Sequence, residues 1–245
     1  KRLKGARILF DVSSVGATGN VLMAAVLAKG VTTIENAAIE PEITALGHFL
    51  VSMGAKIHGV GTNKLEVEGV ESLHPANVAT IPDRIEAGTF LVAAAMAGKK
   101  KSTVRLENCD PAHLSAIIAR LEDAGAKITC GANYVEIGPP DVIRAVHVTT
   151  AIYPGFPTDM QAQWIAMMSL AQGTSVITDT IYHDRFMHVP ELVRLGVEVT
   201  VNDNVATVVG GKKLKGAKVM STDLRASASL ILAGLAAEGA TEVLR

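Results

Sequence analysis

A tandem repeat with a spacing of 71 residues constrains this chain more than any other feature. Gly54-Ala55-Lys56-Ile57 returns as Gly125-Ala126-Lys127-Ile128 and, more loosely, as Gly196-Val197-Glu198-Val199, 71 residues further on each time. Glu35-Asn36 is matched by Glu107-Asn108 and Asp179-Thr180 at a spacing of 72. The stretch Leu3-Lys4-Gly5-Ala6-Arg7-Ile8-Leu9 reappears 211 residues later, close to three periods, as Leu214-Lys215-Gly216-Ala217-Lys218-Val219-Met220. Three independent markers with one period imply duplicated modules, each a small supersecondary unit.

Each unit reads as βαβαββ. A short β-rich segment (6–12, 146–150, 217–220) leads into a polar or glycine-containing turn. The first helix then covers Asn20–Lys29, Ile85–Ala97, Asp159–Gln172 or Ser227–Glu238. A strand follows (31–35, 102–106, 175–179), then a second, amphipathic helix such as Pro41–Met53 or Pro111–Ala124. That helix ends at the repeated glycine, which fits the left-handed position after a helix C-terminus. Two alternating strands, as in 56–60 and 64–68, close the unit. The first helices are apolar nearly all round (Val21-Leu22-Met23-Ala24-Ala25-Val26-Leu27-Ala28), which predicts that they lie inside, with sheets packed around them. The chain ends one helix and one strand into a fourth unit and does not begin with Met, so an excised piece of a longer protein is expected.

Composition excludes several classes. With 49% apolar residues the chain is no disordered segment, and a net charge of -1 lacks the electrostatic footprint of a general nucleic-acid binder. The most apolar runs, 91–97 and 230–237, are too short to span a membrane. The basic N-terminus has no apolar core of a secretory signal. Two cysteines, Cys109 and Cys130, make no disulfide framework, and the histidines lack metal-ligand spacing, so no metal site is expected and a reducing cytoplasm is the default.

The turns before the first helices are the candidate chemistry. Ser13-Ser14-Val15-Gly16-Ala17-Thr18-Gly19 offers free N–H groups and close backbone approach to an anion, or simply a helix cap. In Ile81-Pro82-Asp83-Arg84-Ile85-Glu86, Asp83 is a good N-cap, and Arg84 suits a phosphate or a neighbouring carboxylate. In Phe156-Pro157-Thr158-Asp159-Met160-Gln161-Ala162-Gln163, Thr158 and Gln161 predict a capping box with Asp159 in the first helical position. There the helix dipole stabilises a carboxylate whether structural or catalytic. Arg185 and Arg225 match carboxylate or phosphate geometry, although Asp223 and Arg225 also read as a local ion pair.

Read together, these turns resemble the UDP-N-acetylglucosamine enolpyruvyl transferase family. The resemblance rests on Ser14-Val15-Gly16-Ala17-Thr18-Gly19, Glu35-Asn36-Ala37-Ala38 through Glu40-Pro41-Glu42, Pro82-Asp83-Arg84-Ile85-Glu86 and the string 156–163. Arg185-Phe186-Met187-His188-Val189-Pro190-Glu191-Leu192 and Asp223-Leu224-Arg225-Ala226-Ser227-Ala228-Ser229 complete it, in order along the whole chain. The resemblance implies an α/β fold, an inside-out barrel of two lobes built from βαβαββ units, with the substrate cleft between lobes. Residues 1–81 would be the third unit of one lobe, and 82–245 two units and a partial third of the other.

It also implies a cytoplasmic enzyme of peptidoglycan precursor synthesis that moves the enolpyruvyl group of phosphoenolpyruvate onto the sugar 3′-hydroxyl and releases phosphate. No metal or organic cofactor, nucleic acid or membrane is implied. By the same match Asp159 deprotonates the hydroxyl, and Ser13, Ser14, Val15 and Gly16 hold the UDP part. Ile181 touches the nucleotide sugar, Arg185 and Arg225 lie near phosphoenolpyruvate, and Asp83 and Arg84 lie at the hinge and cleft edge. Val12 stands where many members have lysine. The family's loop cysteine, its general acid, has no counterpart here, since neither Cys109 nor Cys130 sits in a matching motif; the piece alone is therefore expected to be inactive. Two alternatives are a non-catalytic nucleotide-sugar binding module and a 3-phosphoshikimate carboxyvinyltransferase-like enzyme.

Overall fold

A computed structural model describes residues 2–98, 102–221 and 223–245. Lys1 of the basic N-terminal stretch and Thr222 of the last candidate turn lie outside the described residues. The chain divides into two compact bodies, Lys1–Ile81 and Pro82–Arg245.

The first body runs β1 (Arg7–Leu9), α1 (Val15–Ala25), β2 (Val31–Glu35), α2 (Pro41–Ser52), β3 (Lys56–His58) and β4 (Lys64–Glu68), the βαβαββ order read from the sequence. Its sheet has the order β1-β2-β4-β3, parallel at β1–β2 and antiparallel elsewhere. Alternation in β4 sends Leu65 and Val67 inward and Lys64, Glu66 and Glu68 to solvent. Leu22, Val26, Ile34, Leu50, Leu65 and Val67 form the core.

The second body continues with α3 (Arg84–Ala97), β5 (Val104–Glu107), a 3-10 turn (Pro111–Leu114), α4 (Ser115–Asp123), β6 (Lys127–Cys130) and β7 (Tyr134–Gly138). The next unit is β8 (Val148–Thr149), a 3-10 turn (Thr158–Met160), α5 (Gln161–Met168), β9 (Thr174–Thr178), α6 (Val189–Arg194), β10 (Glu198–Asn202) and β11 (Val205–Val209). Then come β12 (Lys218–Met220), α7 (Leu224–Ala236) and β13 (Glu242–Leu244). The first helices α3, α5 and α7 pack on one another, with the sheets β5-β7-β6 and β8-β9-β11-β10 behind them. Every residue of α5 is buried, Trp164 completely, so its lack of a polar face is satisfied on all sides. Truncating Trp164 to Ala would cost about 3–5 kcal/mol.

The repeat is physical as well as textual. Gly54, Gly125 and Gly196 have φ of 97°, 107° and 94°, each one residue past a helix C-cap. Each carries the same pair of closing hydrogen bonds: Gly54 N–H to Val51 and Ala55 N–H to Leu50, Gly125 to Glu122 and Ala126 to Leu121, Gly196 to Val193 and Val197 to Leu192. Gly5 and Gly216 are equivalent too. A Cβ on either would lie 2.2 Å from a carbonyl oxygen, of Val31 and of Ala240 respectively, so the duplicated glycine lets two parallel strands approach.

Some expectations are corrected. α1 begins at Val15, not Asn20, because the Ser14 hydroxyl accepts from Ala17 N–H at 3.3 Å and starts the helix early. Val15 and Gly16 therefore belong to its first turn rather than to an open loop. α1 is not buried all round either: Leu22 and Ala25, with Val26 just past its end, face the core, whereas Val15 and Met23, and Leu27 beyond the end, are exposed. α7 likewise exposes Leu224, Ile231 and Leu235. The 111–124 helix is split by a 3-10 turn, and α5 ends at Met168 instead of Gln172.

The marker Asp179-Thr180 is also out of register with its sisters. Ala37, Cys109 and Asp179 donate equivalent N–H bonds to Asn63, Asn133 and Asn204, so Thr178 is the partner of Glu35 and Glu107. In the first two units a left-handed Asn intervenes (Asn36, φ 57°; Asn108, φ 55°), and the third unit dispenses with it.

Candidate active site

Three of the residues singled out in sequence converge in the second body. Asp159 lies in the 3-10 turn before α5, Arg185 in the irregular segment after β9, and Arg225 in the first turn of α7. Asp159 Oδ1 is 2.7 Å from Arg185 Nη1, and Oδ2 is 3.2 Å from Arg225 Nη2. The side chains are 36%, 26% and 24% exposed, open enough to be reached and closed enough for the charges to act on one another with little screening. Burial pushes the Asp159 carboxyl upward. Arg225 and then Arg185 oppose it by charge and by hydrogen bonding and prevail, so the group lies below the ordinary aspartate value. Two guanidinium groups meet on one carboxylate there, a donor-rich setting suited to a further anion.

The predicted capping box does not form. Thr158 Oγ1 donates to Asp179 Oδ2 at 2.6 Å and accepts from Arg185 Nη1 at 3.2 Å, and the Gln161 amide is buried without a hydrogen-bond partner. Donating to a buried carboxylate is a charge-assisted bond, stronger than the neutral bond the hydroxyl would accept from a backbone N–H at the cap, and it draws Thr158 away from the helix end. The expected Asp223–Arg225 pair is likewise replaced. Asp223 Oδ1 accepts the N–H groups of Arg225 (2.7 Å) and Ala226 (2.9 Å) and caps α7, which frees the guanidinium for Asp159.

Asp83 is the N-cap foreseen, accepting from Ile85 N–H (2.8 Å) and Glu86 N–H (3.1 Å). Arg84 places its guanidinium 5.5 Å from the centre of the Tyr153 ring, beside the loop that leads to Asp159. Ile181 is exposed, with its N–H bonded to Asp179 Oδ1 at 3.0 Å. Ser13, Ser14, Val15 and Gly16 belong to the first body, where Ser14 to Gly16 form an exposed helix start and Ser13 is half-buried. Val12, just before them, is exposed.

Sequence reasoning missed four participants. Thr158 and Asp179 read only as a cap and a repeat marker, Thr150 only as the end of a β-rich segment, and the Tyr182 N–H has no sequence signal. His188 is buried against Phe186, and its Nε2 has no partner. Burial pushes its pKa down to about 4; Asp223 raises it and Arg185 lowers it further.

Among the described residues, no helix is long and apolar enough to cross a membrane. The EPSP synthase family (3-phosphoshikimate 1-carboxyvinyltransferase) matches residues 1–245. A UDP-N-acetylglucosamine 1-carboxyvinyltransferase of Chloroherpeton thalassium is 56% identical over 245 residues, all of this chain and 56% of the relative. Its namesake from Shewanella denitrificans is 55% identical, with 58% of its length covered. In structure, the enolpyruvyl transferase NikO from Streptomyces tendae superposes with a TM-score of 0.89 at 28% identity, over 100% of this chain and 60% of that one. EPSP synthase from Acinetobacter baumannii, at 22% identity and a TM-score of 0.71 over 99% of this chain and 58% of its own, shares the fold. The chain thus spans 56–58% of the length of these curated relatives.

Proposed function

The chain belongs to the EPSP synthase family, and on that premise we propose that it is part of a cytoplasmic UDP-N-acetylglucosamine 1-carboxyvinyltransferase. Such a protein transfers the enolpyruvyl group of phosphoenolpyruvate to the sugar 3′-hydroxyl, releases phosphate and opens peptidoglycan precursor synthesis. In this reading residues 1–81 are one unit of one lobe, and 82–245 are two units and part of a third of the other. The acceptor is a nucleotide sugar, for which Ser13, Ser14, Val15, Gly16 and Ile181 are the proposed contacts, with Asp83 and Arg84 at the margin.

One observation carries the reading: a single carboxylate, Asp159, clamped between two arginines. Phosphoenolpyruvate brings a carboxylate and a phosphate, both natural partners for guanidinium. When they bind Arg185 and Arg225, those cations are shared with the ligand and hold Asp159 less firmly. Its proton affinity rises just as the acceptor hydroxyl arrives, which turns a resting ion pair into a general base. The hydroxyl oxygen bonds to C2 of the enol while its proton passes to Asp159 and another acid protonates C3. The tetrahedral adduct then loses phosphate and one C3 proton, restoring the double bond. The arginines stabilise the anions throughout.

The test is phosphate release by a full-length protein carrying these 245 residues, with phosphoenolpyruvate and either UDP-N-acetylglucosamine or shikimate 3-phosphate. Turnover with the nucleotide sugar alone supports the reading. Turnover with shikimate 3-phosphate, or tight UDP-sugar binding with no phosphate release, replaces it with the corresponding alternative.

A further inference from the structure

The third unit departs from its sisters at one buried position. By the strand ladder, Asp179 occupies the place held by Ala37 in the first unit and Cys109 in the second. Those two are apolar, 2% and 5% exposed, so the module does not need a charge there in order to fold. Asp179 is fully buried, and an ionisable group at such a place is costly unless every lone pair is used.

They are used in a particular direction. Asp179 Oδ1 accepts from Thr150 Oγ1 (2.8 Å), Ile181 N–H (3.0 Å) and Tyr182 N–H (2.9 Å), and Oδ2 accepts from Thr158 Oγ1 (2.6 Å). One oxygen therefore fastens the segment that carries Ile181, Tyr182 and Arg185. The other fastens the residue next to Asp159. Thr158 completes the loop by accepting from Arg185, whose guanidinium also lies 5.8 Å from the Tyr182 ring centre. All four donors are neutral, so the carboxylate is held by geometry and not by an ion pair.

From this we infer that Asp179 is a positioning residue of the active site: through Thr158 and the N–H groups of Ile181 and Tyr182 it clasps the Asp159 turn to the Arg185 segment, fixing the distance between base and cation. The inference rests on the enolpyruvyl-transfer reading for its catalytic consequence, whereas the clasp itself can be measured without turnover.

The experiment uses a full-length protein carrying these residues and compares Thr158→Val, Thr158→Ser, Asp179→Asn, Asp179→Ala and the Thr158→Val/Asp179→Asn pair. The sister units show that the backbone accepts a small apolar residue at 179, and Thr158→Val keeps the shape of the side chain should Asp179→Ala not fold. Thr158→Val, which cuts the hydroxyl's bonds to both Asp179 and Arg185, and Asp179→Asn, which removes the charge from the first of them, should each lower kcat/KM roughly ten- to a hundredfold. Thr158→Ser should restore it to within about threefold, and the double variant should lose little more than either single one because both cut the same link.

Amide exchange across residues 180–188 should accelerate in Asp179→Ala and be retained in Thr158→Val, which leaves Oδ1 and its N–H donors intact. Unchanged exchange in Asp179→Ala overturns the clasp. Faster exchange with unaltered kcat/KM, or losses that simply multiply in the double variant, overturns its catalytic role and leaves Asp179 a structural residue. Wild-type protein without phosphate release defeats the functional reading instead, and exchange alone then decides the clasp.

Discussion

Asp223 and Arg225 stand two residues apart and face different tasks. The Asp223 carboxylate closes the start of α7 by accepting from the Arg225 N–H at 2.7 Å, while the Arg225 guanidinium reaches back 66 residues to Asp159. The cap sets the direction of the first helical turn, and that direction delivers the cation to the site.

Removing the cap should therefore weaken both fold and site. Asp223→Ala is expected to cost about 1 kcal/mol. For a body of this size that is a fall of roughly 2–4 °C in Tm by thermal unfolding. Asp223→Asn, which caps as well, should recover most of it. A variant with Ala at 223 and an unchanged Tm would show that α7 is held by its packing on α5 alone.

Asp159→Asn keeps the shape and removes the base. In full-length protein kcat should fall by about two to four orders of magnitude, the usual contribution of a positioned general base. The Tm should stay close to wild type, because the amide oxygen still accepts from an arginine. The lowered pKa of Asp159 also has a direction. In free protein the group is already ionised above the ordinary aspartate range, so the kcat/KM profile should show no acid limb from it between about pH 5 and 8. An acid limb in that window that disappears in Asp159→Asn would contradict the arginine clamp.

His188 sets a pH dependence of stability. Its folded pKa of about 4 lies below the unfolded value of 6.5, so between those values the unfolded chain binds the extra proton. Stability is then complete above pH 6.5 and declines as the pH falls toward 4. At pH 5 the loss attributable to this residue reaches up to about 2 kcal/mol. Urea unfolding at pH 7 and pH 5 should show a smaller difference for His188→Leu than for wild type; equal differences would mean that the ring is not held neutral.

The glycines separate space from function. Gly216→Ala drives a Cβ to 2.2 Å from the Ala240 carbonyl oxygen and should destabilise the β12–β13 pair by about 1–3 kcal/mol. Gly16→Ala meets nothing within 4 Å and lies in the first turn of α1, where alanine is the better helix former. Its Tm should hold or rise. If Gly16 lies against the nucleotide as proposed, UDP-sugar affinity by calorimetry should nonetheless drop several-fold, and undiminished affinity would remove that turn from the binding surface.

Much of the architecture was legible before any coordinates. The period of 71, the three glycines that end second helices and the alternation of strands such as 64–68 are local signals, acting over a few residues, and they survive in the fold. Asp83 as a cap and Asp159, Arg185 and Arg225 as candidates were visible for the same reason: each stands in a short, distinctive string. What tertiary structure alone decided is which side chains answer each other. Thr158 abandons a local cap for a buried carboxylate, Arg225 bypasses its neighbour for Asp159, and a one-residue shift against the sister units turns Asp179 inward. Local preference is worth about a kilocalorie and is written in adjacent residues. Burial and charge pairing outweigh it, and they depend on which strands and helices become neighbours.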